Sequence, residues 1–104
     1  MNYKDQIIER LKSYQTDDII ITTHAEIQAL HRGIDIDEVK ANIINPKRLL
    51  FAGKQANNKY DCYFVYSKTQ CQRYILVLKN KCIVCTVIKI NRRWQCMVEK
   101  YAKL

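Results

Sequence analysis

The side chains best suited to chemistry stand together on one short segment: His24, His31 and Arg32, with Gln28 between them. An imidazole can take or give a proton near neutral pH, and a guanidinium can hold a phosphate through two parallel hydrogen bonds. At about 100° per residue, His24, Gln28, His31 and Arg32 share one flank of a helix, with Ile27 and Leu30 expected to enter the core beside them. His24 falls in the first turn, where the helix dipole disfavours imidazolium and keeps a base available. With Tyr101 as a further candidate for proton transfer, these groups suit metal-independent cleavage of RNA. That reaction needs a base for the ribose 2′-hydroxyl, an acid for the leaving 5′ oxygen and cations around the transition state. The plainer reading is structural: each histidine hydrogen-bonds at the edge of the core, and Arg32 caps its own helix end.

Charge points the same way. The chain of 104 residues carries a net charge of +8, and the excess lies in one half. Residues 1–52 hold seven Lys/Arg against eight Asp/Glu, a balance of −1, whereas residues 53–104 hold eleven against two, a balance of +9. A surplus concentrated in half of a small domain makes a positive field that draws polyanions. Lys79, Lys81, Lys89, Arg92 and Arg93 are the expected phosphate contacts, grouped around the last hairpin and the segment after it. Seven tyrosines accompany them, and Tyr60, Tyr63, Tyr66, Tyr74 and Tyr101 are candidates for stacking on bases, though most strand aromatics belong to the core.

Five cysteines form an odd set without the spacing of a secreted scaffold, so thiols in the cytoplasm are the expectation. Cys82-x-x-Cys85 has a zinc-like spacing, but residues three apart on a strand point to opposite faces, and a second such pair is missing from the sequence. No metal and no cofactor are expected. The opening Met1-Asn2-Tyr3-Lys4-Asp5 lacks the pattern of a signal peptide, and no apolar run approaches the ~20 residues that span a bilayer, so no membrane partner is expected.

The elements that must position these groups follow from hydrophobic period. Residues 2–14 read as a helix through Tyr3, Ile7, Ile8, Leu11 and Tyr14, and Ile19-Ile20-Ile21 as a short strand. Thr23 with Glu26 fits a capping box opening a second helix that Gly33 ends; Asp35 with Glu38 fits another, opening a third helix that Asn45-Pro46 stops. Ile36, Val39 and Ile43 are the core positions of that third helix. Strands are expected at 49–52, 60–67, 73–79 and 82–90, with residues 53–59 as a polar loop and Asn80-Lys81 as a two-residue hairpin. Trp94, Met97, Val98 and Tyr101 recur at helical spacing, so residues 92–103 read as a closing helix capped by Asn91. The expectation is a single α+β domain over 1–104: N-terminal helices packed on a four- to five-stranded, mostly antiparallel sheet covered on both faces.

The run His24-Ala25-Glu26-Ile27-Gln28-Ala29-Leu30-His31-Arg32-Gly33-Ile34, continuing through Asp35, Glu38, Val39, Asn45 and Pro46, resembles a family of unknown function placed with the RelE/ParE-like toxins. The resemblance extends to the barnase–colicin–RelE group of ribonucleases and covers about residues 19–90. It implies a RelE-like domain acting as a metal-independent endoribonuclease, with RNA or the ribosome as target and a small acidic antitoxin protein as partner. Gln28 departs from the pattern, which often has arginine in that helix. Two other activities fit the same fold: a non-catalytic RNA- or ribosome-binding module, and a ParE-like inhibitor of a protein target.

Overall fold

Leu11, Val39 and Ile43 are fully buried because three short helices lay their apolar stripes on one face of a sheet. The computed structural model describes residues 2–91. Its elements are α1 (Lys4–Lys12), a 3-10 turn (Thr16–Asp18), β1 (Ile19–Ile21), α2 (Thr23–His31), α3 (Ile36–Ile44), β2 (Leu49–Ala56), β3 (Lys59–Val65), β4 (Cys71–Leu78) and β5 (Cys82–Ile90). The sheet runs β1-β5-β4-β3-β2; β2 to β5 form an antiparallel meander and β1 joins β5 in parallel. The expected α+β class and mostly antiparallel sheet are therefore present. The closing helix, its Asn91 cap and the stripe from Trp94 to Tyr101 belong to positions that begin at the edge of, or lie outside, the described residues.

The core between helices and sheet uses alternate residues of the meander: Tyr60, Cys62 and Phe64 from β3, Tyr74, Leu76 and Leu78 from β4, and Cys82, Val84 and Val87 from β5. The other face carries a second apolar cluster, Phe51, Tyr63, Cys71 and Ile90, with Val65 and Ile88 against it. Asp61 is buried there and takes a bidentate pair from Arg73 at 2.7 Å on each oxygen. The β2 edge is covered by the chain's start: Tyr3 N–H donates to the Ala52 carbonyl, and Asn2 bonds both Leu50 and Ala52.

Several local expectations shift. Ile27 and Leu30 do not enter the core; they are 50% and 78% exposed, and Ala25 and Ala29 are buried in their place. Two alanines let α2 approach β5 closely, which turns the larger side chains outward. The N-cap of α2 is Thr22, whose hydroxyl accepts from Ala25 N–H, so Thr23 is already helical. Asp35 does cap α3, but Glu38 turns away from the capping box toward the sheet. Residues 53–59 are not a loop: β2 continues to Ala56, and Asn58, at φ 63°, supplies the left-handed residue of a tight turn. The β4–β5 turn holds three residues, 79–81, because Leu78 pairs with Cys82. Gly33, at φ 65°, ends α2 as expected: Gly33 N–H reaches Leu30 O and Ile34 N–H reaches Ala29 O, the Schellman pattern.

What fixes α2 on the sheet is a β-bulge. Ile75 pairs with Thr86 and Leu76 with Val84, leaving Cys85 as the extra residue of β5. Past Val84, where β1 ends, the open side of β5 is taken up by α2 and its cap. Gln28 Oε1 accepts from Val87 N–H at 2.9 Å, and the Thr22 hydroxyl donates to the Cys85 carbonyl at 3.4 Å. Gln28→Leu, which keeps the volume and removes the acceptor, should cost about 1–3 kcal/mol in urea unfolding. Gln28→Glu, which keeps an acceptor oxygen, should recover most of that loss.

Candidate functional site

A small polar cleft opens where the Schellman turn, α3 and the far end of the meander meet. It is lined by Gly33, Glu38, Tyr66, Gln70, Cys71, Gln72 and Lys89 and has a volume of about 160 Å³. Three causes bring these groups together. The turn at Gly33 folds α3 back so that Glu38, in its first turn, faces the sheet. The β3–β4 connection carries Tyr66 and Gln70, held by Tyr66 and Ser67 N–H groups donating to the Gln70 carbonyl. Register places Lys89 of β5 opposite Gln72 of β4.

Behind the opening lies a ring of five hydrogen-bonded side chains. The Asn42 amide donates to the hydroxyls of Tyr66, at 2.7 Å, and Tyr74, at 2.9 Å. Tyr66 donates onward to Glu38 Oε1 and Tyr74 to Gln72 Oε1 through short bonds. Gln72 Nε2 closes the ring with a longer 3.5 Å contact to the same Glu38 oxygen. Asn42 and Gln72 are buried, and the ring satisfies both. Burial raises the Tyr66 hydroxyl above its ordinary range, opposed by the Asn42 hydrogen bond and reinforced by Glu38, so it stays protonated at neutral pH. Burial does the same, more strongly, to Tyr74. The Arg48 guanidinium sits 4.2 Å from the centre of the Tyr66 ring, a cation–π contact that adds positive charge beside the cleft.

The groups expected from sequence are spread more widely. His24 is exposed in the first turn of α2, and His31 and Arg32 are exposed at its other end. Arg32 immediately precedes Gly33, a lining residue of the cleft, whereas seven residues of helix, about 10 Å, separate His24 from His31. Lys79 and Lys81 occupy the β4–β5 turn, where Lys81 Nζ pairs with Asp18 at 2.8 Å and the Lys79 carbonyl accepts from the Tyr14 hydroxyl. That hydrogen bond to Lys81 holds the Asp18 carboxyl below its usual range, and Asp18 raises Lys81 in return. Lys89 lies at the opposite end of β5, about 23 Å away at ~3.3 Å per residue, so the described lysines do not converge on one groove. Arg92, Arg93 and Tyr101 lie outside the described residues. Of the described tyrosines proposed for stacking, Tyr60, Tyr63 and Tyr74 are buried and Tyr66 alone lines the cleft.

Sequence reasoning missed Glu38 and Asn42 as site residues. Glu38 was absorbed into a capping box it does not make, while Asn42, on the same stripe as Val39 and Ile43, was a polar residue at a core position and could have been flagged as such. No group of three or more His, Cys, Asp or Glu is arranged to hold a metal among the described residues. Cys82 is buried in the core and Cys85 is the bulge residue, so the zinc-like pair serves two different places. None of the described helices is long and apolar enough to cross a membrane. No family model, curated protein or solved structure matches the chain.

Burial pushes the thiols of Cys71, which lines the cleft, and Cys82 up to about 12, and raises Cys62 well above its ordinary 9.0. These thiols are protonated at neutral pH and are not nucleophiles there. The sign of the linkage follows: above pH 9 the unfolded chain ionises its thiols and the folded one does not, so stability falls as pH rises. At pH 10 each of the three should remove about 1.4 kcal/mol, measurable as a declining urea midpoint between pH 8 and pH 10. Cys62→Ala with Cys82→Ala should flatten that decline.

Proposed function

We propose that this chain is a RelE-like RNA-directed domain and that the Glu38 cleft, rather than the start of α2, cuts RNA without a metal. The observation that carries this reading is the composition of the cleft: a carboxylate, a protonated phenol and an amine share one opening, with a guanidinium against the phenol ring. Glu38 has the chemistry to accept the 2′-hydroxyl proton, and Lys89 and Arg48 have the charge to stabilise the anionic phosphorane. Tyr66, protonated at neutral pH, donates to Glu38 and orients it, and Glu38 can pass the proton it has taken from the 2′-hydroxyl to the leaving 5′ oxygen as the P–O5′ bond breaks. Arg32, next to Gly33, adds a phosphate contact. In this reading the +9 half draws RNA or the ribosome, and a small acidic protein would serve as antitoxin.

A second reading, binding without cleavage, has its own support: Glu38 already accepts two donors and is also explained as the anchor of a structural ring. An RNA cleavage assay in EDTA separates the two. Cleavage should yield a 2′,3′-cyclic phosphate and stop at a substrate with a single 2′-deoxy position. Glu38→Gln should lower the rate by about 10²–10⁴-fold, and Lys89→Gln should weaken it as well. His24→Ala should leave the rate within about threefold; if His24→Ala abolishes it and Glu38→Gln does not, the active site is at the start of α2. Intact RNA combined with binding whose salt slope falls by about 1 in Lys89→Gln marks the binding module. RNA neither cut nor bound ends both readings.

A further inference from the structure

The ring behind the cleft has a direction. Asn42 supplies two amide hydrogens, one to each tyrosine hydroxyl. A hydroxyl that has accepted from Asn42 has one proton left to give, and each gives it away from Asn42: Tyr66 to Glu38, Tyr74 to Gln72. Because Gln72 Oε1 is taken by Tyr74, its amide nitrogen is turned toward Glu38. Both arms therefore begin at one amide and end as donors on a single oxygen, Glu38 Oε1. Oε2 has no hydrogen-bond partner among the described residues and belongs to a side chain that lines the cleft.

We infer that Asn42 is the positioning residue of this site: it sets a one-way hydrogen-bond ring that keeps Glu38 an acceptor, with Oε2 presented to a hydroxyl donor such as a ribose. The inference rests on Glu38 being the working group of the cleft. An acceptor in place of the Asn42 amide turns the ring around. Both tyrosines then donate to residue 42, Tyr66 no longer donates to Glu38, and Glu38 keeps only the longer Gln72 contact, which favours its protonated form relative to the unaltered ring. The charged and titratable groups facing Glu38 are Tyr66, with Arg48 on its ring, Tyr74 behind it in the ring, and Cys71 and Lys89 of the cleft lining. The two cations are unchanged by the reversal, but Asn42→Asp also places a negative charge one helical turn from Glu38, so the neutral variant Tyr66→Phe is the one that isolates the ring.

The test is the titration of Glu38 in the full chain, followed by carboxyl ¹³C NMR, which needs no catalytic activity. Asn42→Asp preserves size and replaces the donor by an acceptor. It should raise the Glu38 midpoint by about one pH unit or more, a tenfold gain in proton affinity. It should also shift the acidic limb of any cleavage profile in the same direction. Tyr66→Phe, made alongside it, cuts one arm at a half-buried position without adding charge and should raise the midpoint in the same sense by a smaller amount. A Glu38 midpoint that stays in place in folded Asn42→Asp, or in Tyr66→Phe, overturns the inference. A midpoint that moves in a protein that leaves RNA untouched upholds the ring and removes the ribonuclease reading instead.

Discussion

The bond from Val87 N–H to Gln28 Oε1 decides where everything else lies. β1 pairs with β5 only as far as Val84, so past the bulge at Cys85 the side of β5 turned away from β4 has no strand beside it. A buried N–H left without an acceptor would cost as much as several ordinary contacts contribute. Gln28 supplies that acceptor from α2, and the Thr22 cap supplies a donor to the Cys85 carbonyl in the same stroke. With both ends of its first two turns tied to the bulge, α2 has no freedom to slide along or roll on β5. Its C-terminal turn is then delivered to the end of the sheet where Lys89 stands. The departure from the resembled pattern at Gln28 is therefore explained by packing: the side chain completes a backbone ladder, a task that an arginine, which has no acceptor, could not perform.

From the turn at Gly33 onward, position converts into polarity. The left-handed residue reverses the chain, Asp35 caps α3, and the side chains one turn apart at Glu38 and Asn42 then face β3 and β4. Those two residues are the opposite poles of the ring, a donor-only amide edge and an acceptor-only carboxylate, separated by one helical turn. The two tyrosines and Gln72 connect them across the sheet. A buried polar ring is favourable only when every member is satisfied, and here the spacing of a helix turn is matched to the reach of two phenols. The same ring gives α3 a fixed rotation on the sheet, which purely apolar contacts at Val39 and Ile43 would leave less well defined.

The element order was legible because period and punctuation agreed along most of the chain. Gly33, Asp35 and Asn45-Pro46 marked boundaries that the structure keeps, and runs of β-branched and aromatic residues revealed the strands. Rotation about the axis of α2 was not legible. Ile27 and Leu30 are more hydrophobic than Ala25 and Ala29, so a count of apolar residues points the wrong face inward. What decides it is the close approach to β5 that alanine allows, together with the tether at Gln28, and both are properties of the partner strand. The cleft was hidden for a related reason. Glu38, Tyr66, Gln72 and Lys89 come from four elements, and no local spacing encodes their meeting. Charge was legible as an amount but not as an arrangement.

That arrangement is the last constraint the fold imposes. The meander alternates its turns between two ends: the β2–β3 and β4–β5 turns share one end, where Leu78 N–H meets the Asn58 carbonyl, and the β3–β4 turn lies at the other. Lys54, Lys59 and Lys79 stand toward the first end, and Lys68 and Lys89 toward the second. None of these five forms an ion pair with a described carboxylate, whereas Lys81 is matched by Asp18 and Arg73 by Asp61. The unmatched lysine charge of the meander is thus divided into two rims a strand length apart, and only the rim with Lys89 borders the cleft. A small anion would feel mainly one rim. Under the RNA-directed reading proposed above, a chain of phosphates, with a charge every few ångströms, has the length to reach from one to the other.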